Sequence, residues 1–83
     1  MYKITKTIGD TETINLVFDG VALAKETFND LKYDEYIRFK RLYEGGIRKE
    51  TREERVNGEL VYSEYRLSVP TFSINIVLQY VEN

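Results

Sequence analysis

The fold is decided by residues 36–69, YIRFKRLYEGGIRKETREERVNGELVYSEYRLSV. Runs of strand-forming residues in this stretch are separated by two short pairs, Gly45-Gly46 and Asn57-Gly58. An Asn-Gly pair between such runs indicates a β-hairpin, because a type I′ turn needs positive φ at both central residues. The stretch therefore predicts three antiparallel strands joined by two tight turns.

The register that these turns impose can be tested by the side chains it brings together. Two-residue loops predict the pairs Arg38–Glu53, Arg41–Glu50 and Lys40–Thr51 across the first turn, and Glu53–Tyr62, Thr51–Glu64 and Glu54–Val61 across the second. Opposite charges across the first pair of strands support this register. Lys49 facing Arg66 is a like-charge pair and counts against it.

The middle strand of the stretch is charged on both faces. Burying unpaired charge is costly, so this strand cannot lie beneath a helix. We therefore predict that residues 47–60 form a β-hairpin arm that projects beyond the core or is covered by a partner. The alternative is a short helix over residues 48–55 with Asn57-Gly58 as its C-cap, since this run also has high helix propensity.

The N-terminal segment predicts a second hairpin. Apolar and polar residues alternate over residues 2–8 and again over residues 14–18. Their apolar faces align across a three-residue loop, Gly9-Asp10-Thr11, which pairs Ile8 with Glu12, Ile4 with Leu16 and Tyr2 with Phe18.

A helix and a final strand complete the predicted elements. Asp19 is a candidate N-cap for a helix over residues 20–32, whose apolar stripe is formed by Val21, Ala24, Phe28 and Leu31. Residues 33–35 then link the helix to the central stretch. Residues 72–80 alternate without a break, so we expect them to form a central strand of the sheet.

These elements predict one α+β domain over residues 1–83, with the order ββαββββ. An antiparallel sheet of five to six strands carries one helix packed on one face.

Composition excludes several classes of function. The 83 residues include no cysteine and no histidine, and the net charge is −2. Disulfides and thiolate metal sites are therefore absent, as is the usual general base. No apolar run approaches the length of a signal peptide core or a membrane span. We predict a cytoplasmic protein without enzymatic activity, cofactor or metal.

Tyrosine is abundant, with seven copies in the chain. The predicted strands place Tyr36 and Tyr62 beside basic residues on the sheet face opposite the core. A Tyr/Arg face is typical of protein interfaces and of single-strand nucleic-acid binders. The predicted partner-binding residues are Tyr36, Arg38, Lys40, Arg48, Arg52, Arg55, Tyr62 and Arg66.

We therefore predict a small protein-binding module, with single-stranded nucleic-acid binding as the alternative. Homodimerisation through strand pairing is a specific version of the first prediction. In its short length, lack of cysteine and lack of catalytic motifs, the chain is similar in type to small accessory proteins of phage and mobile elements. The resemblance implies a role such as that of the inhibitors which cap host enzymes.

Overall fold

A computed structural model describes residues 1–82. These residues form one five-stranded antiparallel sheet and one helix, and the predicted α+β class is confirmed. The elements are β1 (Tyr2–Ile8), β2 (Thr11–Phe18), α1 (Val21–Leu42), β3 (Arg48–Val56), β4 (Glu59–Val69) and β5 (Phe72–Tyr80). The strand order is β2-β1-β5-β4-β3, with β5 in the centre as predicted.

Helix α1 extends ten residues beyond its predicted end at residue 32 and replaces the first strand of the 36–69 stretch. The buried residues of the helix are Ala24, Phe28, Glu35 and Phe39, whose spacings of four and seven residues place them on one side of the helix. Glu35 occupies a position of this stripe where an apolar residue is expected. Its charge interrupts the apolar pattern, so the sequence predicts a helix that ends before it. The strand predicted to begin at Tyr36 is therefore wrong, and Gly45-Gly46 connects the helix to β3 instead of forming a hairpin turn.

The ends of α1 also differ from the prediction. Gly20 takes the N-cap position in place of Asp19, and no side chain caps the first turn. At the other end, the backbone N–H of Tyr43 donates to the carbonyl of Phe39 at 2.9 Å. Gly46 then adopts a φ of 74°, which suits glycine and turns the chain into β3.

The hydrophobic core lies between α1 and one face of the sheet. Phe39 is 1% exposed, and its ring stacks on Phe72 with a centroid separation of 6.0 Å. The buried apolar side chains of the sheet are Ile4, Leu60, Tyr65, Leu67, Ile74, Ile76 and Leu78. The opposite face of the sheet is covered by no element of residues 1–82, and we call it the open face.

The first hairpin has the predicted pairs at its far end. Tyr2 faces Phe18 and Ile4 faces Leu16, as expected. The loop is one residue shorter than predicted, since Ile8 faces Thr11, and an irregularity at Thr13 absorbs the difference. The Thr13 hydroxyl donates to the carbonyl of Lys6 at 3.2 Å, which holds this bulge in place.

The second hairpin begins as predicted and then shifts by one residue. Asn57 and Gly58 have φ values of 52° and 82°, so the type I′ turn is confirmed, and the short-helix alternative for 48–55 is wrong. Beyond the pair Arg55–Leu60, an extra residue in β4 moves Tyr62 opposite Glu54. The predicted pairs Glu53–Tyr62, Thr51–Glu64 and Glu54–Val61 are therefore wrong.

The shift improves the charge pairing of β3 with β4. Arg66 faces Glu50 and Glu64 faces Arg52, whereas the unbulged register would have set Lys49 against Arg66. Strand β3 is the outermost strand on its side, and all nine of its residues are exposed. Its turn extends past Tyr62–Gln79, the last pair between β4 and β5. No helix within residues 1–82 combines the length and apolar character needed to cross a membrane.

Candidate protein-binding surfaces

The eight predicted partner-binding residues are divided between three places in the fold. Arg48, Arg52, Tyr62 and Arg66 lie on the open face, because in the ladder they alternate with residues that face the core. Tyr36, Arg38 and Lys40 lie on α1, and Arg55 lies on the helix side of the sheet beside the Asn57-Gly58 turn. The predicted sheet face that joins Tyr36 and Arg38 to Tyr62 and Arg66 is therefore wrong, since residues 36–42 are helical.

The open-face candidates sit among carboxylates. The Arg52 guanidinium carbon is 5.8 Å from the Tyr62 ring centroid, and its Nη2 is 2.7 Å from Oε1 of Glu54. Asn75 of β5 donates from Nδ2 to Oε2 of Glu64 at 2.8 Å. Basic and acidic side chains alternate across β3 and β4, so this surface has little net field.

Two tyrosines have raised phenol pKa values. Partial burial raises the pKa of Tyr62, and the carboxylates of Glu64 and Glu54 add to this effect while Arg52 opposes it. Burial likewise raises the pKa of Tyr65, with a further contribution from Tyr36. Both tyrosines are therefore neutral hydrogen-bonding groups at neutral pH.

Tyr36 is engaged on the helix side of the sheet. The ammonium groups of Lys40 and Lys49 lie 5.4 and 5.6 Å from its ring centroid. These cation–π contacts link α1 to the edge strand β3. They place the Tyr36 ring in the layer between helix and sheet, away from the open face.

A patch on the outer surface of α1 was missed in the sequence. Tyr33, Asp34, Ile37, Arg38, Arg41 and Leu42 line a broad, shallow depression, which we call the helix patch. Tyr33 and Leu42 are each 66% exposed. The signal was present in the spacing of Tyr33, Ile37 and Arg41, which lie four residues apart on one side of a helix. It was obscured because residues 33–35 were predicted to be a link and the residues from 36 onward to form a strand.

The one buried ion pair of residues 1–82 joins β1 to α1. Lys6 Nζ donates to Oε1 of Glu35, and the two residues are 8% and 4% exposed. Nη1 of Arg38 lies 3.7 Å from the same oxygen, while Oε2 of Glu35 has no hydrogen-bond partner among the described residues. This pair is enclosed in the core layer and is not open to a ligand.

Within residues 1–82, no group of three or more acidic side chains is placed to hold a metal ion. Comparison of this chain with protein-family models, with curated proteins and with solved structures found no match. The functional inference consequently depends on the surfaces described above.

Proposed function

We propose that this chain is a non-enzymatic protein-binding module and that the helix patch is its contact surface for another protein. The observation that carries this proposal is a depression lined by Tyr33, Ile37 and Leu42, in which Tyr33 and Leu42 are each 66% exposed. A single exposed apolar residue is ordinary, but an apolar cluster rimmed by charged side chains is typical of an interaction site.

The composition of the patch supports a protein partner. Tyrosine and arginine are the residue types that most often dominate the binding energy of protein interfaces. Arg38 and Arg41 flank the apolar cluster, and Asp34 is its one acidic member. We therefore expect the partner to present an apolar side chain with a carboxylate next to it.

The lack of histidine and cysteine supports a role without catalysis. The likeness in type to small accessory proteins of phage and mobile elements keeps the capping of a host enzyme within this proposal. Nucleic-acid binding is less well supported, because Glu50, Glu54 and Glu64 stand among the arginines of the open face and would repel phosphates.

The experiment compares matched variants in affinity capture from a lysate. Tyr33→Ser/Leu42→Ser removes the two exposed apolar members of the helix patch. Leu23→Ser/Val56→Ser is the control, because these side chains are similarly exposed, at 58% and 56%, but lie outside the patch. We expect a protein that is captured by the wild type and the control to be lost from the patch variant, with unchanged circular dichroism.

A charge variant tests the expected partner chemistry. Arg41→Glu should weaken capture of the same protein, because it reverses a charge that faces the predicted carboxylate. Identical sets of captured proteins for all variants would contradict the proposal. Nucleic acid in the eluate, released by moderate salt, would instead favour the single-strand alternative.

A further inference from the structure

Strand β3 has one free edge and a regular backbone. Within residues 1–82 its only ladder partner is β4, and all nine of its residues are exposed. The extra residue near the turn belongs to β4, because Glu54 faces Tyr62 while Arg55 faces Leu60. Side chains of β3 therefore alternate between the two faces without interruption from Arg48 to Val56.

The charges of β3 are antisymmetric about Thr51. Reading outward from this residue, each position on one side is opposite in sign to its counterpart on the other: Glu50 and Arg52, Lys49 and Glu53, Arg48 and Glu54. A strand with this pattern is complementary to a second copy of itself in antiparallel orientation. We propose that two copies of the chain pair through β3, with Thr51 facing Thr51 on a two-fold axis.

The two-fold axis limits the registers that are available. A two-fold axis perpendicular to the sheet keeps the side chains of each face on that face. Each residue must therefore face itself or a residue an even number of positions away in the sequence, so the axis must pass through a residue and not between two residues. When the axis passes through Thr51, each of the three opposite-charge pairs occurs twice, and no like charges face each other. These contacts are Glu50–Arg52, Lys49–Glu53 and Arg48–Glu54 between the copies.

The neighbouring registers are repulsive. When the axis passes through Glu50, Glu50 faces Glu50 of the other copy, and Arg48 faces Arg52 at two places. When the axis passes through Arg52, Arg52 faces Arg52 of the other copy. Glu50 then faces Glu54, and Lys49 faces Arg55. Because like charges directly opposite destabilise a sheet, the charge pattern specifies one register and disfavours a slip of the strand.

The charge pairs within the monomer do not compete strongly with this arrangement. Arg48 lies 3.5 Å from Glu50, Arg52 lies 2.7 Å from Glu54 and Arg55 lies 3.0 Å from Glu53. All six side chains are about half exposed or more, so these contacts contribute little to stability and their charges remain available. Charged edge strands usually prevent pairing, but here the charges are self-complementary.

Strand β2, the other edge of the sheet, offers no comparable pattern. Glu12 is its one charged residue, and its ladder with β1 is irregular near Thr13. Pairing through β3 would give one continuous sheet of ten strands, with both helices on the same face. The inference goes beyond the proposed function, because it involves neither the helix patch nor a different protein, and either can fail alone.

The test is a charge swap, read by sedimentation velocity of the full chain over a range of concentrations. Lys49 and Glu53 are the best positions, because their neighbours on β4 are the uncharged residues Leu67 and Ser63. We expect a reversible wild-type dimer, which Lys49→Glu or Glu53→Lys alone weakens about tenfold or more by setting like charges opposite each other. The double variant Lys49→Glu/Glu53→Lys should restore the dimer.

Val17→Lys on β2 is the control and should leave the dimer intact, since Val17 is 57% exposed on the other edge. A wild-type chain that stays monomeric at every concentration would overturn the proposal. Single variants that dimerise as well as the wild type, or a double variant that stays monomeric while folded, would do the same.

Discussion

Lys6 and Glu35 show how one charged pair can conceal an element of the fold. Both residues occupy positions that face the core, where apolar side chains are expected. A buried ion pair is seldom a net source of stability, because desolvating two charges offsets much of their attraction. It does, however, penalise any packing of α1 that separates the partners, so we interpret it as fixing the position of the helix over β1.

Lys6→Met should destabilise the protein by about 3–5 kcal/mol, because it leaves the Glu35 carboxylate buried without its ammonium partner. Arg38, at 3.7 Å from Glu35 and 60% exposed, can replace only part of that interaction. The free energy of unfolding, measured by urea denaturation, checks this prediction.

The double variant Lys6→Met/Glu35→Leu is the control for the ion-pair interpretation. It removes both charges and completes the apolar stripe of α1, so its loss of stability should be much smaller than that of the single variant. A double variant as unstable as Lys6→Met would mean that side-chain packing, not unpaired charge, explains the effect.

At the level of elements, the turn of the β3–β4 hairpin and the side chains of its strands determine different features of the hairpin. The Asn57-Gly58 pair predicted the turn correctly, but all three residue pairs predicted across it are wrong. The bulge that follows could not be predicted from the turn, because it depends on pairing of β4 with both neighbours. Its result is that Glu50 meets Arg66, and this match is visible only once the register is known.

The turn itself can be tested with two glycines that differ in backbone conformation. A Cβ added at Gly58 or at Gly45 would meet no atom within 4 Å, but only Gly58 has a positive φ, of 82°. Gly58→Ala should therefore cost about 1–2 kcal/mol, whereas Gly45→Ala should change stability by less than about 0.5 kcal/mol. Thermal and urea unfolding of the two variants measure the difference. Equal losses would show that the Asn57-Gly58 turn is not under conformational constraint.

Across the whole molecule, local patterns predicted the layers of the fold but not the arrangement of its surfaces. Alternation identified three of the five strands, β1, β2 and β5, and the central place of β5, because each pattern lies within one element. The second half of α1 was missed because Glu35 broke its apolar stripe. The predicted Tyr/Arg face is wrong for the same reason, since Tyr36 lies in the helix and is separated from Tyr62. The ion pair with Lys6 allows Glu35 to lie on the core side of α1, and no local sequence pattern indicates that contact.

The free edges of the sheet provide the last prediction, which concerns assembly. In a monomer, the outward amides of β3 face solvent and exchange their hydrogens rapidly, as do those of β2. Pairing through β3 would give those of residues 48–54 hydrogen-bond partners, so about half of the amides in this segment should become protected as concentration rises. The amides of residues 11–18 serve as the internal control and should exchange at an unchanged rate. Hydrogen exchange measured by nuclear magnetic resonance at low and high concentration distinguishes the two edges. Protection that appears on β2 instead would assign the interface to that strand and exclude the charge-paired dimer.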